Sequence, residues 1–300
     1  SSPTGTMTMT VNAVNDAPVN SLGTASAVNE DVANAITGST IADVDDTSMT
    51  SVQITADRGT FTLATSSATY NVGTQGTAAS TVTISGTVTN INVAIATITW
   101  TSATDDNTNA VITVVTTDSS SAADTDTIAI TVNAVNDAPA NAGDTAAVNE
   151  DTAYSAWGAG SDWGYTDVDS DTMVSITLVS QPSNGALTET NNACGGDGCA
   201  NGDVILLARL AAGDLIYTGT SNYNGADTFT YTTQDAALSS PTGTMTMTVN
   251  AVNDAPTVEA GDAQSVAEGA SVTLTSSGTS DIEGQTLSYV WSVQSGTSQT

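Results

Sequence analysis

Apolar or β-branched residues alternate with threonine or other polar residues along most of the chain. The alternation is clearest over 5–14, 82–88, 110–118, 126–135 and 227–235. A period of two places successive side chains on opposite faces, which is typical of a half-buried β-strand. Gly, Asn, Asp and Ser clusters interrupt these segments at intervals of about ten residues, as in all-β sandwiches. The pattern therefore predicts an all-β fold.

Helical periodicity is nearly absent. The best helical segments are INVAIATI at 91–98 and LARLAAGD at 207–214. Both are too short to be stable without tertiary packing. We therefore expect single helical turns at these two places.

The phrase TVNAVNDAP occurs at 10–18, 131–139 and 248–256. The copies lie about 120 residues apart, which is far longer than a solenoid repeat and close to one β-sandwich domain. The sequence thus predicts sandwiches at 19–139 and 140–256, with 1–18 as the last strand and linker of a preceding repeat and 257–300 as an incomplete sandwich. Because the chain starts without Met and stops in a strand-like run, we expect a longer parent chain or end-to-end filaments.

The charge is strongly acidic: two arginines, no lysine and no histidine stand against 32 acidic residues, for a net charge of −30. Such a surface repels nucleic acid and anionic lipid and attracts cations. The usual general bases and Schiff-base amines are missing, and no catalytic motif is present, so we expect no enzyme. No apolar run reaches the ~18 residues of a membrane span, so we expect no membrane contact within this segment.

High net charge with few aromatic residues is also typical of disordered chains. However, charged residues make up only 11% of the sequence, and apolar residues recur regularly in the strand-like segments. These features favour a folded chain.

Short acidic motifs follow each repeated phrase in a fixed order. AVNED at 27–31 and 147–151 corresponds to SVAEG at 265–269, and DVDD at 43–46 and DVDSD at 167–171 correspond to SDIEG at 280–284. Together with SQPSNGALT and NYNGADTFTYTTQD, which end at 188 and 235, they resemble the tandem cadherin-like and VCBS-type immunoglobulin-fold repeats of bacterial surface adhesins over about 19–256. The segment from 265 onwards is similar instead to PKD-like domains. The resemblance implies tandem immunoglobulin-like, Greek-key β-sandwiches arranged end to end, with calcium at the junctions.

The topology of a sandwich would gather these acidic residues into three sets, because alternate turns collect at opposite ends of the domain. The first set comprises Asn15, Asp16, Asp43, Asp45 and Asp118. The second comprises Glu30, Asp106, Asn136, Asp137, Asp167, Asp169, Asp171 and Asp235, and the third comprises Glu150, Asp227, Asn253, Asp254, Asp281 and Glu283. Carboxylate and amide oxygens suit Ca2+ and disfavour zinc or copper.

Asp, Asn and Gly are also ordinary turn-forming residues, whose side chains bond their own backbone. Acidic turns that recur at the matched ends of each domain favour calcium over turn formation alone. The loop that begins at Asp167 is not an EF-hand, because Thr172 and Leu178 occupy the positions that require Gly and Glu.

Cys194 and Cys199 flank a short glycine-rich turn that a disulfide could close, as expected in an extracellular setting. A free thiol pair is the alternative, and two thiols without histidine make a poor zinc site. The loop with Trp157, Trp163 and Tyr165 either packs on the adjoining domain or contacts a glycan or another chain. Trp100 and Trp291 lie in strand patterns, which predicts core positions.

These features predict a calcium-stiffened stalk or surface fibre in a large extracellular repeat protein or adhesin. Its partners would be calcium and copies of itself. The alternatives are a module at the cell surface that binds a glycan or a protein, and a non-catalytic spacer of a secreted enzyme.

Overall fold

The computed structural model describes residues 4–158, 160–195 and 198–292. The chain forms two compact units, Ser1–Asn136 and Asp137–Thr300. Each unit contains a β-sandwich, which confirms the predicted all-β, tandem immunoglobulin-like fold. In the described part of the chain, no helix is long and apolar enough to span a membrane.

The first unit is built almost wholly from strands. They are β1 Val19–Ser21, β2 Val28–Asn29, β3 Asn34–Thr37, β4 Thr40–Ala42, β5 Ser48–Ala56, β6 Thr60–Leu63, β7 Thr69–Val72, β8 Thr81–Thr87, β9 Thr97–Thr101, β10 Ala110–Thr117, β11 Ala123–Ile130 and β12 Val132–Asn133. One sheet has the order β11-β10-β5-β8-β7 and another has the order β3-β9-β6. Short ladders join β1 antiparallel to β4 and β12 parallel to β2.

Strand alternation produces the core of this unit. β10 buries every second side chain, and its neighbour β5 buries Val52, Ile54 and Ala56. Phe61 and Trp100 face each other across β6 and β9 and are 1% exposed. The predicted core position of Trp100 is thus confirmed.

Helix α1 spans Val88–Ile95 and begins three residues before the predicted segment. Thr87 sets this start, because its hydroxyl accepts a hydrogen bond of 3.2 Å from the Asn90 N–H. The helix buries Ile91, Ala94 and Ile95. Two turns therefore form where a single turn was expected, since the sandwich supplies the packing that a short helix lacks in isolation.

The second unit repeats the architecture with different strand lengths. Its strands are β13 Ala140–Asn141, β14 Asp144–Asn149, β15 Ala153–Tyr154, β16 Tyr165–Thr166, β17 Ser175–Ser180, β18 Gly185–Glu189, β19 Val204–Leu206, β20 Leu215–Gly219, β21 Gly225–Gln234 and β22 Gly243–Asn250. The sheets have the orders β14-β22-β21-β17-β19, β15-β20-β18 and β13-β16. Helix α2, Leu207–Ala211, lies where a single turn was predicted, and a 3-10 helix spans Gly160–Trp163.

Two predicted strand regions differ from expectation. Residues 4–17 form no strand and are exposed, although 1–18 has the same sequence as 239–256. Within 257–292 the described backbone forms turns and a single bridge between Thr257 and Ser280, with no strand. Trp291 is 49% exposed, so its predicted core position is wrong, because no second layer of described strands covers it.

Candidate functional site

The acidic loop after β4 is shaped by Asp43. Its Oδ1 accepts hydrogen bonds from the backbone N–H groups of Asp45, at 2.8 Å, and Asp46, at 2.7 Å. This Asx-type turn directs the Asp45 carboxylate toward the segment that enters the sandwich, where Asp45 Oδ2 accepts from the Asp16 N–H at 2.7 Å. The loop therefore holds residue 16 against the end of the domain.

Asp118 completes this arrangement from the turn after β10. It is 1% exposed, and its Oδ1 accepts from the N–H groups of Ser120 and Ala122, each at 2.8 Å. Its Oδ2 accepts from Asn15 Nδ2 at 2.8 Å. The hydrogen bond from Asn15, together with those from the backbone, lowers the pKa of Asp118 despite its burial. Direct hydrogen bonds thus join all five predicted residues, Asn15, Asp16, Asp43, Asp45 and Asp118.

The second unit contains the same arrangement. Asp167 Oδ1 accepts from the N–H groups of Asp169, at 2.9 Å, and Asp171, at 3.1 Å. Asp169 Oδ2 accepts from the Asp137 N–H at 2.7 Å. Asn136 is the last residue of the first unit.

A third copy of the arrangement follows β22. Asp281 Oδ1 accepts from the N–H groups of Glu283 and Gln285, each at 3.1 Å, and Glu283 Oε1 accepts from the Asp254 N–H at 3.3 Å. Gln285 also donates to the Asn253 side-chain oxygen. A carboxylate that caps its own loop and a second that holds the incoming Asp therefore recur three times.

Asp235 occupies the position in the second unit that Asp118 has in the first. Its Oδ1 accepts from the N–H groups of Ala237, at 2.5 Å, and Leu238, at 2.6 Å. Tyr165 lies beside this loop, with its hydroxyl 2.9 Å from the Asp171 carbonyl oxygen. Burial and the nearby charges of Asp167 and Asp235 raise the pKa of Tyr165 to about 12. These acidic residues therefore concentrate negative charge at one end of the sandwich.

The opposite end of each sandwich carries a buried glutamate. Glu30 is 2% exposed and accepts from the Val135 N–H at 2.8 Å. Glu150 is 4% exposed and accepts from the Val252 N–H at 2.6 Å and from Asn224 Nδ2 at 3.4 Å. Each glutamate thus fixes the backbone of the repeated phrase as it leaves the domain.

The acidic residue that follows each glutamate, Asp31 or Asp151, was left out of the predicted metal-binding sets. Asp31 Oδ1 accepts from the Asp105 N–H at 3.2 Å, and Asp151 Oδ1 accepts from the Asn222 N–H at 3.1 Å. All four residues have φ between 54° and 58°, a left-handed conformation that Asp and Asn adopt more readily than most residues. The signal was present, since an aspartate follows the glutamate in both copies of AVNED, although Gly269 stands at that position in SVAEG.

Oδ2 of Asp43 and Oδ2 of Asp254 are buried carboxylate oxygens that have no hydrogen-bond donor among the described residues. An anionic oxygen buried without a donor is unfavourable unless a cation or a hydrogen bond satisfies it. An open cavity of about 500 Å³ adjoins Asp16 and Asp43, and a smaller one of about 360 Å³ adjoins Asp254. Hard oxygen ligands beside an open space fit the coordination chemistry of Ca2+.

Asp106 and Asp227, two of the predicted ligands, make other contacts. Asp106 accepts a hydrogen bond from the Thr108 N–H at 3.0 Å and lies 3.5 Å from the Arg58 guanidinium. The hydrogen bonds from Thr108 are the main cause that lowers the pKa of Asp106. Asp227 is 2% exposed, and both of its oxygens are taken up within the sandwich, one of them by Tyr217. We therefore leave both residues out of the metal-binding set.

The aromatic loop of the second unit faces inward. Trp157 is 4% exposed, and its indole N–H donates to the Leu215 carbonyl at 2.6 Å. Trp163 is fully buried and packs edge-on against Tyr231, with ring centroids 5.0 Å apart. Both belong to the core of their own sandwich. The prediction that these two residues contact a ligand, another chain or an adjoining domain is therefore wrong, because neither indole ring has an exposed face.

The cysteines form the predicted disulfide, between Cys194 and Cys199. Cys194 is 5% exposed and packs with the core, and its N–H donates to the Glu189 carboxylate. The bond therefore lies beside the core of this sandwich.

One family model and several solved structures are similar to this chain. The family model described as Bacterial Ig domain matches residues 136–248. No curated protein matches the chain. Human mucin-like protocadherin EC1-2 is 12% identical, with 78% of this chain and 98% of that chain covered and a TM-score of 0.33.

Two longer cadherin structures are also similar. Protocadherin gamma B2 domains 3–6 are 14% identical, with 82% of this chain and 53% of that chain covered and a TM-score of 0.39. Drosophila N-cadherin EC1-4 is 14% identical, with 79% and 50% covered and a TM-score of 0.32. The chain thus spans about half the length of these two. At the level of sequence, it is the second sandwich, over 136–248, that is similar to bacterial Ig domains.

Proposed function

We propose that the chain is a structural segment of an extracellular repeat protein or adhesin, in which calcium stiffens the points where the backbone enters each sandwich. Tandem sandwiches, a disulfide and an acidic surface support an extracellular location. The proposed domains are 19–139 and 140–256, with a third, PKD-like domain that starts at 257.

The recurring acidic arrangement carries this proposal. Asp45, Asp169 and Glu283 each hold the N–H of an incoming Asp, and each is positioned by a preceding Asp that caps its own loop. Simple turn formation would account for the cap but not for the second carboxylate. It also leaves the buried oxygens of Asp43 and Asp254 without a positive partner.

Electrostatics give calcium a mechanical effect. Several carboxylates at one end of a sandwich repel one another when no counter-ion is present. Extracellular calcium modules bind with dissociation constants on the order of 0.1–1 mM. A calcium concentration ten to a hundred times higher would stabilise each site by roughly 1.4–2.7 kcal/mol. This free energy is enough to hold in place a segment through which the backbone enters a sandwich and which would otherwise be mobile.

The test compares the whole chain with millimolar calcium and with chelator, by calorimetric titration and small-angle scattering. We expect saturable binding and a stiffer particle with calcium. Asp169→Ala should shift the transition to higher calcium concentration. Asp126→Ala is the matched control. Asp126 is an exposed residue on β11, so its substitution removes the same charge at a position away from the acidic loops.

Equal calcium titrations for wild type and Asp169→Ala would refute the assigned site. Identical scattering curves with and without calcium would refute the stiffening, even if calcium binds. Burial of Trp157 and Trp163 removes the observation that favoured a glycan site, so we do not propose one.

A further inference from the structure

The acidic residues that lie in strands are all placed on the core side of their sheets. In the described strands they are Asp124, Asp126, Asp144, Glu189 and Asp227. Each is separated by an even number of positions from a buried apolar residue of the same strand, as Asp124 and Asp126 are from Ile128. Successive side chains of a strand alternate between the two faces of a sheet. The outer faces of the described strands therefore carry no charged residue, although charged side chains usually lie on the solvent side of a sheet.

A broad uncharged surface is formed by four neighbouring strands of the first unit, β11, β10, β5 and β8. We call it the neutral face and define it by the odd-numbered residues of 51–55, 81–85, 111–117 and 123–129. All of them are exposed or half-buried, and they are threonine, serine, glutamine, valine or alanine. Thr127, Thr113, Thr55 and Thr81 lie side by side across the four strands.

The strand preference of threonine does not by itself explain this surface. Threonine favours strands and aspartate disfavours them, so a threonine-rich sheet is not unusual. On β11, however, Asp124 and Asp126 alternate with Thr125 and Thr127, so this strand accommodates acidic residues, but only on its inner side. Inward-pointing charges on an edge strand hinder pairing along that edge. Because β11 is an edge strand, its sequence opposes edge-to-edge pairing and leaves the outer face uncharged.

The second unit has the same property, although its strands differ in length and sequence. Thr145, Thr246 and Thr228 lie side by side across β14, β22 and β21. The outward residues of these three strands are threonine, alanine, asparagine or glutamine. An uncharged outer face therefore occurs in both sandwiches of a chain whose net charge is −30.

We propose that the neutral face is an interface at which the first unit packs against the same face of a second copy of this chain. A second copy carries the same net charge and is repelled wherever acidic residues face each other. The neutral face presents no acidic side chain, so two copies approach there with the least repulsion. Each threonine hydroxyl both donates and accepts hydrogen bonds, so two identical faces are complementary under two-fold symmetry. The proposal does not depend on calcium binding.

The size of the face predicts a weak interface. Four strands about 4.8 Å apart, with outward residues about 6.7 Å apart along each strand, cover roughly 15 by 20 Å between Cα positions. Two such faces would bury less than about 1,200 Å² in total, which is the range of weak, transient interfaces. We therefore expect a reversible dimer with a dissociation constant on the order of 0.1–1 mM.

Sedimentation equilibrium of the whole chain, in chelator and at protein concentrations up to about a millimolar, tests the proposal. Wild type should dimerise reversibly and more strongly as salt rises, because added salt screens the repulsion between the acidic loops. Thr113→Asp places like charges opposite each other in the dimer and should weaken it at least about tenfold. Thr125→Asp, at an exposed position of the same face where a charge does not disturb folding, should also weaken the dimer.

Thr99→Asp is the matched control. Thr99 is an outward, half-buried residue at the centre of β9 in the other sheet, with Ala35 and Thr62 beside it. The same charge there should leave dimerisation within about twofold of wild type. Thr113→Ser keeps the hydroxyl and the neutrality of the face and should preserve the dimer. Circular dichroism establishes that each variant is folded.

Four results would overturn the proposal. A wild-type chain that stays monomeric at every salt concentration would do so, even if the neutral face binds another molecule such as a glycan. Equal weakening by Thr113→Asp and Thr99→Asp would place the contact elsewhere. A dimer that dissociates as salt rises would show that charged groups hold the copies together. Retention of the dimer in both Thr113→Asp and Thr125→Asp would show that the neutral face is not the interface.

Discussion

Asp227→Ala should destabilise the second unit strongly without affecting calcium binding. The Asp227 carboxylate accepts four hydrogen bonds inside the sandwich. They come from the N–H groups of Ser183, at 2.9 Å, Asn184, at 3.1 Å, and Thr228, at 2.9 Å, and from the hydroxyl of Tyr217, at 3.0 Å. Tyr217 is itself fully buried, so water cannot replace the lost acceptor there.

The magnitude follows from the groups that lose their partner. A buried donor left unsatisfied costs about 1–3 kcal/mol. The Tyr217 hydroxyl is fully buried, whereas Ser183 is exposed and Asn184 is half-buried, so water can replace part of what their N–H groups lose. The total is therefore roughly 2–4 kcal/mol. For a unit of this size the melting temperature should fall by about 10–20 °C. Tyr217→Phe removes only one donor and should cost about 1 kcal/mol.

Hydrogen exchange with mass spectrometry measures this effect unit by unit. Peptides from β21 and β22 should lose protection in Asp227→Ala, whereas peptides from β5 and β10 should not change. The double variant Asp227→Ala/Tyr217→Phe should lose less unfolding free energy than the sum of the two single changes, because the buried hydroxyl that would lack an acceptor is then absent. A stable Asp227→Ala protein with weakened calcium binding would show that Asp227 is a ligand after all.

Three further changes probe the second unit. Trp163→Ala should cost about 3–5 kcal/mol in denaturant unfolding, whereas Trp163→Phe should cost less, because the indole nitrogen makes no hydrogen bond with the described residues. Reduction of the Cys194–Cys199 bond should cost about 2 kcal/mol for so short a loop, and intact mass should show alkylation only after reduction. The hydrogen bonds from Asn191, chiefly, and from Thr190 and Arg209 lower the pKa of Asp214, so its stabilisation is present above the unfolded-state pKa and is lost as pH falls below it. The stability gap between wild type and Asp214→Asn should therefore narrow below about pH 4; an unchanged gap would contradict this.

Period-two alternation predicted the long strands because their burial depends on local pattern. β10 and β22 follow it residue by residue. The same pattern over 5–12 produces no strand, which shows what a pattern cannot supply: a strand requires neighbours that satisfy its backbone.

The acidic loops were predicted for a similar local reason. An Asp that caps its own turn is encoded within a few residues, as at Asp43 and Asp167. The roles of Asp227 and Trp163 were not predictable in this way. Asp227 accepts a hydrogen bond from Ser183, 44 residues away, and Trp163 lies beside Tyr231, 68 residues away. Only the folded sandwich therefore shows that Asp227 caps a distant loop and that Trp163 fills the core.

The parallel ladder between β14 and β22 has a mechanical consequence. Because the first and last long strands of this sandwich run side by side in the same direction, tension on the two ends of the domain acts along the ladder in shear. The six residue pairs from Asp144↔Met245 to Asn149↔Asn250 would then bear load together instead of opening one after another. In the first unit the corresponding ladder has two pairs, Val28↔Val132 and Asn29↔Asn133. Under a stretching force, the first sandwich should rupture before the second.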